Sequence, residues 1–185
     1  VGELGYELYA KTSDSKNIYE KLIEKGKKYN LSNCGMHSLD TMRMESGFLH
    51  WGHDISPEEN QYQAGLNFTI SYKKDFNFIG REALEKIKDK KIDRKFAMFV
   101  LKNNEPGKPL LLHDEPIYKD DKIVGRTTSG NYSFNFKKSL AFGYINNDFS
   151  DDELLNGNIS IEIEKIKYPA EIIFKPLKQT NFKNN

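Results

Sequence analysis

From about Arg94 onward the chain turns into a series of short apolar or alternating runs, and that series limits the folds open to it. The runs are Phe96 to Leu101, Glu115 to Tyr118, Lys122 to Thr128, Leu140 to Ile145, Ile159 to Ile163 and Ala170 to Phe174. Turn-rich segments separate them: Asn103 to Gly107, Lys119 to Lys122, Asn131 to Lys138 and Asn156 to Asn158. In one run Ile159, Ile161 and Ile163 fall on a single face, the period-2 signature of a half-buried strand. Five or six strands of this kind predict a small closed or nearly closed antiparallel β-barrel.

The front of the chain is mixed, and one stretch of it stands out. Thr41 to Ile55, TMRMESGFLHWGHDI, holds the only tryptophan, two of the four histidines, an arginine, a glutamate, an aspartate and two glycines. Leu39, Met42 and Met44 give a short helix an apolar side and Gly47 is placed to stop it, whereas the residues that follow keep no period. The expectation is a helix delivering an irregular loop, Phe48 to Asp54, of the kind that carries binding chemistry. The bland alternative is that Trp51 fills the core while His50 and His53 cap it.

Around that stretch the sequence predicts ordinary elements. Tyr6 to Ala10 alternates as a strand that projects Glu7, either as a solvated acid or toward a ligand. Ser13 or Asp14 can cap a helix reaching about Tyr29, with Ile18, Leu22 and Ile23 as its buried stripe. Ser56-Pro57-Glu58-Glu59 reads as a capping box opening a short helix that ends by Gly65, and Leu66 to Tyr72 as a strand. Arg81 to Lys88 is strongly helical, and the charged residues up to Arg94 form a linker. These readings divide the chain into 1–93, an α+β portion, 94–178, the barrel, and a tail, 179–185.

Composition sets outer bounds. A chain of 185 residues with 37% hydrophobic and 30% charged residues can bury a globular core. Its formal charge of +1 gives no global field for nucleic acid or an acidic partner. One cysteine, Cys34, excludes an internal disulfide, and no apolar run approaches membrane-spanning length. The expectation is a soluble, cytoplasmic protein with no membrane or nucleic-acid partner. Val1 is not an initiator Met and VGELGYELYA reads as the end of a turn entering a strand, so a piece of a longer chain is expected. Cys34 and His37 have the spacing of half a metal site without a second half, so no metal is predicted. There is no P-loop, no GxGxxG and no nucleophile in a recognisable setting. Gly125-Arg126-Thr127-Thr128-Ser129-Gly130 could offer hydroxyls and an arginine to an anion, or be a bulged strand turning at Gly130.

Six segments in order carry a resemblance. They are Gly2 to Tyr9, Leu39 to Gly47, His50 to Ile55, Ala64 to Leu66, Phe78 to Leu84 and Gly125 to Gly130. Together they resemble the aminomethyltransferase, or glycine cleavage T-protein, family. The His-Trp-Gly-His-Asp-Ile segment and the Leu39-Asp40 pair look nearer to the fused folate-binding C-terminal regions of dimethylglycine and sarcosine dehydrogenases. Stand-alone aminomethyltransferases carry an Arg before the Asp of the helix motif, where this chain has Leu39.

The resemblance implies the C-terminal part of a tetrahydrofolate-binding α+β domain followed by a β-barrel. The family's pterin-holding acid follows a Gly-Tyr pair, which matches Glu7 after Tyr6. A carboxylate there can accept two parallel hydrogen bonds from an amino-pyrimidinone edge while aromatic rings cover its faces. The cofactor-binding set so implied is Glu7, Tyr6, Arg43, Trp51, His53 and Arg126. No catalytic residue is expected in this chain, because the family's catalytic Asp matches a position upstream of it. FAD is expected only in a further upstream domain, which would oxidise an N-methyl amine to an iminium. The iminium would then meet tetrahydrofolate to give 5,10-methylene-tetrahydrofolate and the demethylated amine. Two other readings stand beside this one: a non-catalytic interaction module completed in trans by a flavoprotein partner, and an RNA-related role like that of a tRNA-modification factor of the same fold. The second would call for a basic stripe, which the interleaved Lys and Glu do not make.

Overall fold

The computed structural model describes residues 1–178, so the expected tail, 179–185, lies outside the described residues. The second half is a closed barrel of six strands: β1 (Arg94–Leu101), β2 (Pro116–Lys119), β3 (Lys122–Ser133), β4 (Lys138–Asn146), β5 (Ile159–Ile163) and β6 (Ile166–Ile173). Around the barrel the order is β1-β4-β3-β2-β5-β6, and antiparallel pairing of Phe99 with Ile172 and Val100 with Glu171 brings β6 back to β1. Closure removes the unpaired edges that six short strands would otherwise present.

Alternation along β1 explains how the barrel acquires both a core and a docking face. Ala97, Phe99 and Leu101 point inward, where Ile117, Ile145, Ile161 and Ile172 meet them. Met98 and Val100 point outward into a second cluster with Leu140, Phe142 and Met44. β4 is accordingly buried on both faces from Ser139 to Ile145. Met44 comes from α2 (Met36–Glu45), which lies across β3 and β4 and is the one helix of the front half that contributes to the core. Burying a side chain of this size stabilises by roughly 1.5–3 kcal/mol, so Met44 alone is a sizeable anchor. Gly47 (φ +75°) ends the helix as expected and turns the chain into the irregular loop. β3 and β4 run so close together that a Cβ on Gly125 would run into the Tyr144 carbonyl.

The rest of the front half departs from the sequence reading in specific ways. The helix α1 (Thr12–Gly26) forms, but its N-cap is Lys11, and neither Ser13 nor Asp14 caps it. None of its residues is buried: Leu22 is exposed, while Ile18 and Ile23 are only half-buried. Tyr6 to Ala10 is irregular and not a strand, since no neighbouring strand supplies the ladder its backbone would need. Leu66 to Tyr72 is not a strand either. It forms a 3₁₀ turn over Asn67–Thr69, in which the amides of Thr69 and Ile70 bond to the carbonyls of Leu66 and Asn67. α3 (Arg81–Ile87) follows Gly80 as expected.

In the barrel, β3 does not turn at Gly130 but continues to Ser133, with a register shift between Thr127 and Ser129. A further helix, α4 (Asp151–Leu155), was not foreseen. Its Ser150 and Glu153 form a complete capping box and it seats Leu154 in the barrel core.

Candidate functional site

The loop after α2 is built around Asp54. This residue is 1% exposed, and each of its carboxylate oxygens has two donors. Oδ2 accepts from Arg43 Nη1 at 2.6 Å and from the His50 amide at 2.8 Å. Oδ1 accepts from Thr128 Oγ1 at 2.6 Å and from Ser129 Oγ at 2.8 Å. Its carbonyl accepts from the Tyr144 hydroxyl at 2.9 Å. Arg43 is equally committed: Nε donates to Asp40, Nη1 also to the Phe48 carbonyl, and Nη2 to Ser129. A buried ion pair is favourable only when its remaining donors and acceptors are met, and here they are met from the helix, the loop and the barrel together. Of the three hydroxyls that the sequence offered to an anion, those of Thr128 and Ser129 thus serve an internal one, Asp54, and that of Thr127 donates to Glu115.

Above this node the chain makes a tight turn. The amides of His53 and Asp54 bond to the His50 carbonyl, and the Gly52 amide bonds to the Ile55 carbonyl. Trp51 stands at the tip, 64% exposed, so it does not fill the core. The His50 and His53 rings lie 4.6 Å apart between their centroids. Burial, reinforced by the charges of Glu59 and Asp54, raises the Tyr144 phenol well above its ordinary range, so it stays a donor.

Three cavities adjoin the loop; one, of about 650 Å³, meets it at Phe48, Leu49 and Ile55, and the other two flank its His50–Asp54 part. The larger, of about 660 Å³, lies between residues 52–59 and the outer face of β2, β3 and β4; it includes His53, Glu58, Arg94, Arg126 and Tyr144. There Arg126 donates to Asp114 at 3.0 Å and remains exposed, and Arg94 donates to Glu59 at 2.8 Å. The smaller, of about 180 Å³, is bordered by His37, His50, His53 and His113 with Asp40 and Arg43. All four histidines of the chain therefore converge on one cleft. Among the described residues no group of three or more His, Cys, Asp or Glu is arranged to hold a metal ion.

Of the residues singled out in the sequence, the structure gathers Arg43, Trp51, His53 and Arg126 around this loop and the two cavities at His53. His53 borders both cavities. Glu7 and Tyr6 stand apart. Both are exposed in the N-terminal segment, line neither cavity, and the Glu7 carboxylate accepts only from the Tyr9 hydroxyl. That contact draws the Tyr9 phenol above its ordinary value. Tyr144 and Arg94 were not anticipated, because a Tyr in an apolar strand and an Arg at a strand start carry no local signal, and Glu59 was expected only to complete a capping box.

Comparison with known proteins bears on what such a loop and barrel belong to. Residues 1–74 match the GCVT N-terminal domain, and residues 94–178 match the glycine cleavage T-protein C-terminal barrel domain. The chain belongs to the glycine cleavage T-protein family. It is 34% identical to dimethylglycine dehydrogenase, mitochondrial, of Rattus norvegicus over 96% of this chain and 20% of that protein. It is 30% identical to the aminomethyltransferase of Alkaliphilus metalliredigens over 99% of this chain and 48% of that protein. The chain thus spans about a fifth of the dehydrogenase and about half of the aminomethyltransferase. In fold it is similar to the crystal structure of glycine cleavage system aminomethyltransferase T from Bartonella henselae. The TM-score is 0.75 over 91% of this chain and 45% of that one, at 18% identity.

Proposed function

We propose that this chain is a tetrahydrofolate-binding part of a one-carbon-transfer enzyme of the dimethylglycine/sarcosine dehydrogenase or aminomethyltransferase type. The observation that carries this reading is the match to both halves of the family, with the Gly5-Tyr6-Glu7 segment inside the first match. Bound tetrahydrofolate would supply the amine that accepts a methylene group from an N-methyl amine-derived iminium. This chain's own residues bind and orient. Glu7 accepts from the pterin edge, Tyr6 and Trp51 offer ring faces, and His53 and Arg126 border the polar cavity beside the loop. Arg43, with its donors committed inside the protein, serves by holding the loop. Holding two reactants in register is worth on the order of 7–11 kcal/mol in well-oriented cases, which is the service such a site renders. Flavin chemistry and the family's catalytic acid lie outside this set of residues. The compartment in this reading is cytoplasmic; among the described residues no helix is long and apolar enough to cross a membrane.

Calorimetric titration with tetrahydrofolate tests the reading. Saturable binding is expected, and Glu7→Ala should weaken it by about 1.5–3 kcal/mol, the scale of a hydrogen bond to a charged group. Binding that Glu7→Ala leaves unchanged, or no binding, overturns it.

A second reading is a non-catalytic module completed in trans by a flavoprotein partner. It is favoured by the exposed apolar side chains of the front half, among them Leu4, Tyr6, Leu8 and Ile79. Its mark would be a flavin-absorbing polypeptide co-eluting with the chain at fixed stoichiometry.

A further inference from the structure

β3 departs from regular register at two places, at Val124 against β2 and at Thr128 against β4, and the second faces the loop. In a regular strand neighbouring side chains point to opposite faces. Thr128 and Ser129 are neighbours, yet both hydroxyls reach the same oxygen of Asp54, at 2.6 and 2.8 Å. The register shift between Thr127 and Ser129 allows this, because a β-bulge adds a residue and re-aims the side chains beside it. Ser129 also accepts from Arg43 Nη2 at 2.8 Å, so one barrel hydroxyl joins both members of the buried pair. From Asp54 the chain runs back through the tight turn to His50, whose amide returns to the same carboxylate. Trp51 and His53 lie within that turn and are exposed. The orientation of the loop tip is therefore tied to the orientation of one carboxylate, and the barrel holds half of that carboxylate's donors.

We propose that Thr128 and Ser129 are positioning residues: through Asp54 they set the orientation of the loop carrying Trp51 and His53, and the bulge of β3 at Thr128 exists to bring both hydroxyls to that task. The inference rests on the reading of this loop as part of the folate site, and it gives the barrel a role in that site through orientation as well as through packing.

Trp51 is the only tryptophan, so its fluorescence anisotropy reports the loop directly. The series is Thr128→Val, Ser129→Ala, the conservative Thr128→Ser, and Ile161→Val. Ile161 is fully buried in the barrel core, and its truncation weakens the barrel without touching Asp54. All are measured well below their melting temperatures, with far-ultraviolet circular dichroism to verify folding. Thr128→Val and Ser129→Ala should lower the Trp51 anisotropy and weaken tetrahydrofolate about tenfold, the scale of losing one hydrogen bond to a charged group. Thr128→Ser should restore both readouts, and Ile161→Val should lower the melting temperature while leaving both unchanged. If the hydroxyl variants lose stability like Ile161→Val but leave the Trp51 anisotropy unchanged, the positioning role is overturned. A wild-type chain that binds no tetrahydrofolate overturns the folate reading instead, and the anisotropy series then decides the positioning role by itself.

Discussion

Arg43 makes four hydrogen bonds within the protein while only 8% of its side chain is accessible, and its partner Asp54 is fully enclosed. Removing one member of such a pair leaves the other charged, buried and short of a partner, which typically costs about 3–5 kcal/mol. Arg43→Met, which keeps much of the side chain's length and apolar stem, should therefore lower the unfolding free energy by that amount in urea denaturation. A loss below about 1 kcal/mol would mean that the three donors Asp54 keeps, the His50 amide and the Thr128 and Ser129 hydroxyls, suffice to hold it without the arginine. The residue types of this node were visible in the sequence, where an Arg, a Glu and an Asp crowd around Gly47 and Trp51. Their partners were not. Ser129 lies 75 positions from Asp54, and Ser133, which donates to the buried Glu45 at 2.5 Å, lies 88 positions from it. Nothing local distinguishes an arginine that will hold a ligand from one that will hold a loop.

At the scale of elements, local chemistry was legible wherever the element completes itself. Ile159 to Ile163 forms the strand expected of it, and Gly47 stops α2. The segment after Ser56 shows the opposite case. Glu59 Oε2 does accept from the Ser56 amide and hydroxyl, but its Oε1 accepts from Arg94 on the barrel. Asn60 then takes the amides of Tyr62 and Gln63 on its side chain, a local alternative to helical bonding, and the chain continues as turns. Those turns are tied to the segment beyond the 3₁₀ turn by one contact, Tyr62 Oη to Tyr72 Oη at 2.6 Å. The Tyr72 hydroxyl, followed by burial, pushes the Tyr62 phenol up to about 12. Since an unperturbed tyrosine titrates near 10, the folded state holds this proton more tightly than the unfolded state. The resulting stability is fully present below about pH 10 and is lost as pH rises through about 12. Absorbance at 295 nm should show late-titrating tyrosines, Tyr144 among them, and in Tyr72→Phe one of these should move toward 10. An unchanged titration in that variant would assign the shift to burial instead.

At the scale of the whole molecule the two halves are held together by different means. Among the described residues every buried apolar side chain except Met44 and Ala64 lies between Ala97 and Ile172, inside or against the barrel. The barrel was legible because its strands meet one another and close. Much of the front half was not, because Tyr6 to Ala10 and the stripe on α1 carry patterns that call for a partner surface the described residues do not supply. Amides protected by a closed, two-sided packed ladder exchange only through global unfolding, whereas a helix with no buried residue opens at almost no free-energy cost. Hydrogen exchange should therefore show β4 amides from Leu140 to Ile145 as the slowest in the chain. Those of α1 from Thr12 to Gly26 should exchange near the rate of an unprotected peptide, with α2 between the two because Met44 and the Arg43–Asp54 pair anchor it. Comparable protection in α1 and β4 would mean that the exposed stripe of α1 is covered in solution. Slowed exchange in α1 only when a flavoprotein is added would give that cover an identity and favour the module completed in trans.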